Sequence, residues 1–209
     1  MKKLLSLVLA LLLALSFAGC SGSTAMTEKN VTATVDSAFD ALKRFDTKKL
    51  EKYVDSKTLS VIITYANKHD QFADLGKALF KNLEYSIESI DLDAKTVTVS
   101  VRNKDLKDTA SAFTKALVSK YSALQMLSLL NNETWLNTSL NSLTDSIAIA
   151  KMQSAPVSVT LTVSAGKKNL MLGFDDTAEN AVSGGALQAV KSLTSGLTGS
   201  KSTTESTSN

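Results

Sequence analysis

Lys95-Thr96-Val97-Thr98-Val99-Ser100-Val101 and Val157-Ser158-Val159-Thr160-Leu161-Thr162-Val163 alternate apolar and hydroxyl side chains without a break. A period of two puts the aliphatic residues on one face and the hydroxyls on the other. Each stretch therefore reads as a half-buried strand of an antiparallel sheet. Each also has a neighbour. Leu83, Tyr85 and Ile87 alternate before the turn-like Asp91-Leu92-Asp93-Ala94-Lys95. Leu170, Leu172 and Phe174 alternate after Gly166-Lys167-Lys168-Asn169. Ile90 and Leu92 fall out of phase with Ile87, which predicts a β-bulge near Glu88-Ser89. The strands expected are 83–92, 95–103, 156–165 and 168–175. Two-stranded hairpins are marginal in water, so both should join into one four-stranded antiparallel sheet.

Helical periodicity fills the rest. Val31, Val35, Phe39, Leu42 and Phe45 recur at three- and four-residue spacing, as do Leu59, Ile62, Ile63 and Ala66, and then Phe72, Leu75 and Leu79. Asp46 stands where an N-cap belongs. Between the hairpins, Ala110, Phe113, Leu117, Tyr121 and Leu124 share one face, and Leu136, Leu140, Leu143 and Ile147 share another after Asn131-Asn132. These predict a helical hairpin with roughly equal arms. Asp176, with Glu179 three residues on, reads as a capping box opening a last helix through about Leu197, weakened at Gly184-Gly185. The fold class is α+β: N-terminal helices on a curved antiparallel four-stranded sheet, with the helical hairpin inserted between the two β-hairpins.

Residues 1–19 read as a signal peptide. Lys2 and Lys3 precede an apolar run from Leu4 to Ala14, interrupted at Ser6, and the segment closes on small residues. The run is shorter than the roughly 20 residues a spanning helix needs. Residues 20–29 read as a tether, 30–197 as a single domain, and 198–209, nearly all Ser, Thr, Gly and charge, as a disordered polar tail. Loss of Lys2 and Lys3 lowers the formal charge from +3 to +1. A near-neutral product offers no electrostatic footprint for nucleic acid.

Phe17-Ala18-Gly19-Cys20 resembles the bacterial lipobox, with Phe17 in place of the usual Leu. The resemblance implies cleavage between Gly19 and Cys20 and a diacylglycerol, carrying palmitate-type chains, on the Cys20 sulfur. The membrane is then a partner through that lipid, and the location is the extracytoplasmic face of the cell membrane. An ordinary secretory signal with an incidental cysteine is the competing reading. Cys20 is the sole cysteine, so it has no intramolecular disulfide partner. Two acyl chains suffice for stable anchoring.

Beyond the anchor, Ala38-Phe39-Asp40-Ala41-Leu42-Lys43-Arg44-Phe45-Asp46, Leu50, Tyr53 and Val54, Leu83-Glu84-Tyr85-Ser86-Ile87 and the strand at 95–101 follow one another in an order similar to Gram-positive lipoproteins with a nuclear-transport-factor-2-like or cystatin-like domain. That resemblance spans roughly 30–190. It implies a curved sheet wrapped around a helix as a cone able to hold a cavity. It brings no catalytic motif onto this chain. The tryptophan common in the last strand of such domains is missing from Leu170-Met171-Leu172-Gly173-Phe174; the only tryptophan is Trp135.

Chemistry-bearing residues are sparse. His69, the only histidine, lies in the polar connection Asn67-Lys68-His69-Asp70 and reads as a surface-loop residue rather than an acid–base catalyst. One histidine and one lipidated cysteine assemble none of the usual transition-metal ligand sets. Asp91 and Asp93 fit turn chemistry better than calcium binding. Asp175 and Asp176 are adjacent and would point to opposite faces of a strand. Every core-facing position named above is Val, Leu, Ile, Phe, Tyr or Ala, with no acid among them. The apolar tip of the helical hairpin, Met126, Leu127, Leu129, Leu130, Trp135 and Leu136, is expected to fold back on the sheet as core; contact with a partner or membrane is the competing reading. The function expected is a non-catalytic binding module without a cofactor, holding a small ligand or peptide at the cell surface. Docking on an envelope protein through the hairpin at 106–150 is the alternative, and a ligand-sized cavity would favour the first.

Overall fold

The computed structural model describes residues 24–189. The expected signal peptide at 1–19, its expected cleavage site at Gly19 and Cys20, and the polar segment at 198–209 lie outside the described residues. Thr27 caps the first helix, α1 (Glu28–Arg44). Met26 already packs against the core. α1 ends at Phe45, which takes the left-handed conformation at φ 50°. Asp46 caps α2 (Thr47–Tyr53) as its position implies, accepting from the Lys49 N–H.

β1 (Val54–Asp55), α3 (Lys57–Ala66), α4 (Asp70–Phe80), β2 (Glu84–Asp91) and β3 (Thr96–Arg102) follow. Then come α5 (Lys107–Lys120), α6 (Ala123–Leu129), α7 (Glu133–Ile149), β4 (Val157–Ala165), β5 (Leu170–Gly173) and α8 (Asp176–Val182). The four strands read from alternation all form, and the hairpins join through β3 and β4, with Val99 opposite Val159. The register shifts between Ile87 and Ser89, where the bulge was expected.

The sheet itself differs from the expectation. It has five strands in the order β1-β5-β4-β3-β2, and β1 runs parallel to β5 through Val54–Leu172 and Asp55–Gly173. A two-residue strand has no period to read, so tertiary pairing alone defines it. The arms of the helical hairpin also differ. Tyr121 is extended (φ −129°, ψ 139°) and breaks the first arm, and Ser122 with Gln125 forms a capping box that starts α6. The helix opened at Asp176 is interrupted after Val182, and helix resumes at 186–189 beyond the glycines. Gly184 and Gly185 hold positive φ, and a Cβ on Gly184 would meet the Lys104 carbonyl oxygen at 1.8 Å.

One apolar sheet face carries the core. Val31, Val35, Phe39 and Leu42 of α1 are buried in the same cluster as Val97, Val99, Leu161 and Leu172. The space between α1 and the sheet is thus filled by side chains rather than left as a hollow cone. Burial of each such residue contributes about 1.5–3 kcal/mol. α1 also meets α4 closely: the Phe45 ring lies where a Cβ on Gly76 would stand, at 2.5 Å, and stacks with Phe80 at 6.1 Å between centroids.

Candidate functional site

The helical segment between β3 and β4 does not lie on the sheet. Its second long arm, α7, packs along α4, and α5 packs on α7. The expected return of the hairpin tip to the sheet is therefore corrected. Leu124 and Leu127 of α6 are 80% and 60% exposed, whereas Leu136, Leu140 and Ile147 of α7 are buried.

Polar contacts fix α7 at both ends. At its start, Glu133 accepts from Gln71 Nε2 at 2.9 Å and pairs with His69 Nδ1 at 2.8 Å. Gln71 Nε2 also donates to Asn137 Oδ1 at 2.7 Å. The hydrogen bonds from His69 and Gln71 hold the Glu133 carboxyl below its ordinary value. His69 thus stands at the N-cap position of α4 with a side chain only 14% exposed, a link between helices rather than a free surface-loop residue. At the far end, Lys104 Nζ donates to the Ile147 and Ala148 carbonyls at 2.9 and 2.5 Å, placing a cation on the helix C-terminus.

With α7 held this way, a cavity of about 450 Å³ lies between the helices. Phe72, Leu75 and Leu79 of α4 form one wall; Trp135, Leu140 and Leu143 of α7 face them. Ala110, Phe113 and Leu117 of α5 and Leu59 and Ile62 of α3 close the sides. The Thr114 hydroxyl, also on the wall, is spent on the Ala110 carbonyl of its own helix. A volume of about 300–1,000 Å³ with mostly apolar walls is that of a small-molecule site. The walls thus favour an apolar occupant.

Among the described residues, one ionisable side chain lines this cavity: Glu179. It is 8% exposed and belongs to α8. The N-cap of that helix is Asp175, which accepts from the Ala178 N–H at 2.8 Å, not Asp176. Glu179 accordingly serves no capping box. It turns inward, where Oε1 accepts from the Ser56 hydroxyl and from the Thr58 N–H at 3.3 Å. Ser56 Oγ also accepts from the Leu59 N–H at 3.0 Å as the cap of α3. Glu179 Oε2 is buried with no hydrogen-bond partner. The expectation that no acid faces the interior is overturned here. The missed signal is helical spacing: Glu179 sits among Ala178, Ala181 and Val182, all buried.

Ser56, Thr58, Phe174 and Glu179 also border a second, polar cleft, completed by Asp55, Lys57, Asp176 and Thr162 among others. Asp91 behaves as turn chemistry requires, accepting from the Ala94 N–H at 2.8 Å. Among the described residues no three His, Cys, Asp or Glu side chains converge on a metal position, and no helix is long and apolar enough to cross a membrane. Cys20, the expected lipidation residue, lies outside the described residues.

No protein-family model matches the chain, and no curated protein matches it in sequence. Among solved structures it is similar to ycdA, a candidate lipoprotein of Bacillus subtilis subsp. subtilis str. 168, at 14% identity and a TM-score of 0.34. The match covers 75% of this chain and 58% of that protein, so the chain spans little more than half of that protein's length, and a likeness this low carries no argument about the site.

Proposed function

We propose that this chain is a non-catalytic, lipid-anchored binding module of the cell surface that holds a small apolar ligand between α4, α5 and α7. The observation that carries this reading is the 450 Å³ apolar cavity. The lipobox-like Phe17-Ala18-Gly19-Cys20 supports anchoring through Cys20 at the extracytoplasmic face of the membrane. The order of strands and helices supports kinship with nuclear-transport-factor-2-like domains, with the cavity displaced outward from the sheet into the helical layer.

The reading predicts that residues 21–209, which contain every buried core residue from Val31 to Ala189, bind the neutral, donor-free fluorophore diphenylhexatriene at one saturable site. Ala110→Phe, which projects a ring into the cavity, should weaken that binding about tenfold while preserving the circular dichroism spectrum. Saturable binding that is unchanged in Ala110→Phe would place the site elsewhere. Exposure of Leu124 and Leu127 favours a second reading, docking on an envelope protein through the hairpin tip. The same titration separates the two, because docking alone leaves the fluorophore unbound.

A further inference from the structure

The hydroxyls buried in the cavity wall have no donor left to give. Ser56 Oγ donates to Glu179 Oε1 and accepts from the Leu59 N–H at 3.0 Å. The Thr114 hydroxyl is committed to the Ala110 carbonyl at 2.8 Å. Ser183 Oγ donates to the Asn180 carbonyl at 3.1 Å and accepts from the Leu187 N–H at 3.2 Å. Glu179 keeps Oε1 on Ser56 and Thr58 and shuts Oε2 away from accessible space. The other polar side chains of the wall, Thr58, Thr109 and Trp135, are each partly exposed. A polar group carried inside would therefore lose its water and find no donor to replace it. One left at the solvent edge keeps its water.

The shape of the space is equally restrictive. Its lining runs along α7 from Trp135 to Ile147 and along α4 from Phe72 to Leu79, and the two helices pack on one another. Trp135 and Ile147 are 12 residues apart, about 18 Å of helix. Spread over that length, about 450 Å³ is a bore with a mean cross-section of about 25 Å². Carbon atoms in contact lie about 4 Å apart, so such a bore takes one extended hydrocarbon chain and is too narrow for a broad ring.

Resting on the cavity reading above, we infer that the ligand is a single-chain amphiphile inserted tail first: one unbranched alkyl chain along α7, with its polar head left at the solvent edge. The protein then selects by the length, width and apolarity of the tail and is nearly indifferent to the head. Each methylene buried should strengthen binding about fourfold, and a hydroxyl on the far end of the tail should weaken it.

The test is displacement of diphenylhexatriene from residues 21–209 by dodecanol, cyclododecanol, dodecanoate and 12-hydroxydodecanoate, each below its micelle or solubility limit. Dodecanol should compete at least about tenfold better than cyclododecanol, which has as many carbons closed into a wide ring. Dodecanoate should fall within about threefold of dodecanol, because the head stays outside, and 12-hydroxydodecanoate at least about tenfold below dodecanoate. Ala110→Phe should weaken dodecanol about tenfold. Cyclododecanol equal to dodecanol, dodecanoate more than about tenfold below dodecanol, or 12-hydroxydodecanoate equal to dodecanoate would overturn the assignment. So would wild-type affinity for dodecanol in Ala110→Phe. Should Ala110→Phe fail to fold, the wild-type ranking decides alone. Failure of diphenylhexatriene to bind would instead defeat the cavity reading, so the two failures are distinct.

Discussion

Single side chains set the points where helix and sheet are joined, and Tyr85 is the clearest. Its ring stacks on Phe39 at 4.4 Å between centroids, and its hydroxyl donates to Asp36 Oδ1 at 2.9 Å, tying β2 to α1. Burial, then the hydrogen bond to Asp36, then the charges of Asp36 and Asp40 push the phenol from 10.0 up to about 12. A raised folded-state value means that the folded chain holds this proton more tightly than the unfolded one. The resulting stabilisation is complete below pH 10 and is lost as the pH rises to about 12. Tyr85→Phe should therefore remove a phenolate absorbance step centred near pH 12 and flatten the stability curve in that window. At neutral pH it should cost about 1 kcal/mol or less, since the hydroxyl is partly solvated. A Tyr85→Phe difference titration centred at 10 would show that the bond to Asp36 has no influence. Tyr85 was placed correctly by alternation alone. Glu179 was not, because a glutamate three residues after Asp176 satisfies the local capping pattern as well as it satisfies burial. Only Ser56, 123 residues away in the chain, distinguishes them.

At the scale of elements, local rules located most of the structure. The cap at Asp46, the bulge after Ile87 and the four long strands all rest on residues within a few positions of one another. The misplacements have a common cause. β1 exists only because β5 pairs with it, and α7 lies on α4 because His69, Gln71 and Glu133 meet across 62 to 64 residues. An amphipathic face says that a helix buries something but not what it buries. The His69–Glu133 link leads to a pH effect of definite sign. The Glu133 carboxyl is held below its ordinary 4.5, so the folded state prefers it ionised. The contribution is present above pH 4.5 and fades as the pH falls through the lowered folded value. Amide hydrogen exchange in the first turns of α7 should accelerate severalfold over that acid window, and His69→Ala should produce the same acceleration at neutral pH while β3 and β4 stay protected. Protection unchanged in His69→Ala would mean that apolar packing alone holds α7.

For the molecule as a whole, two layers of different character follow from the same chain. The sheet, α1 and α8 share one filled core, dense enough that Phe39, Leu161 and Leu172 are fully buried. The outer layer, α5 to α7, is fixed at the ends of α7 by polar contacts and encloses space in between. The lipobox-like motif and the alternating strands can each be read from a few neighbouring residues, whereas a cavity belongs to no segment and emerges only once α4, α5 and α7 are placed together. The central claim is that this space receives a ligand, and the chain carries its own reporter. Trp135 is the only tryptophan, and it lines the cavity in edge contact with Tyr121 at 6.1 Å between centroids. Its backbone N–H is held by the Asn132 cap at 2.9 Å, which fixes the start of α7. Quenching of tryptophan fluorescence by 1-bromododecane in residues 21–209 is the most direct measurement, because bromine quenches only near contact. The account predicts saturable quenching of most of the Trp135 emission, abolished by excess dodecanol; linear, non-saturable quenching that dodecanol leaves unchanged would contradict it.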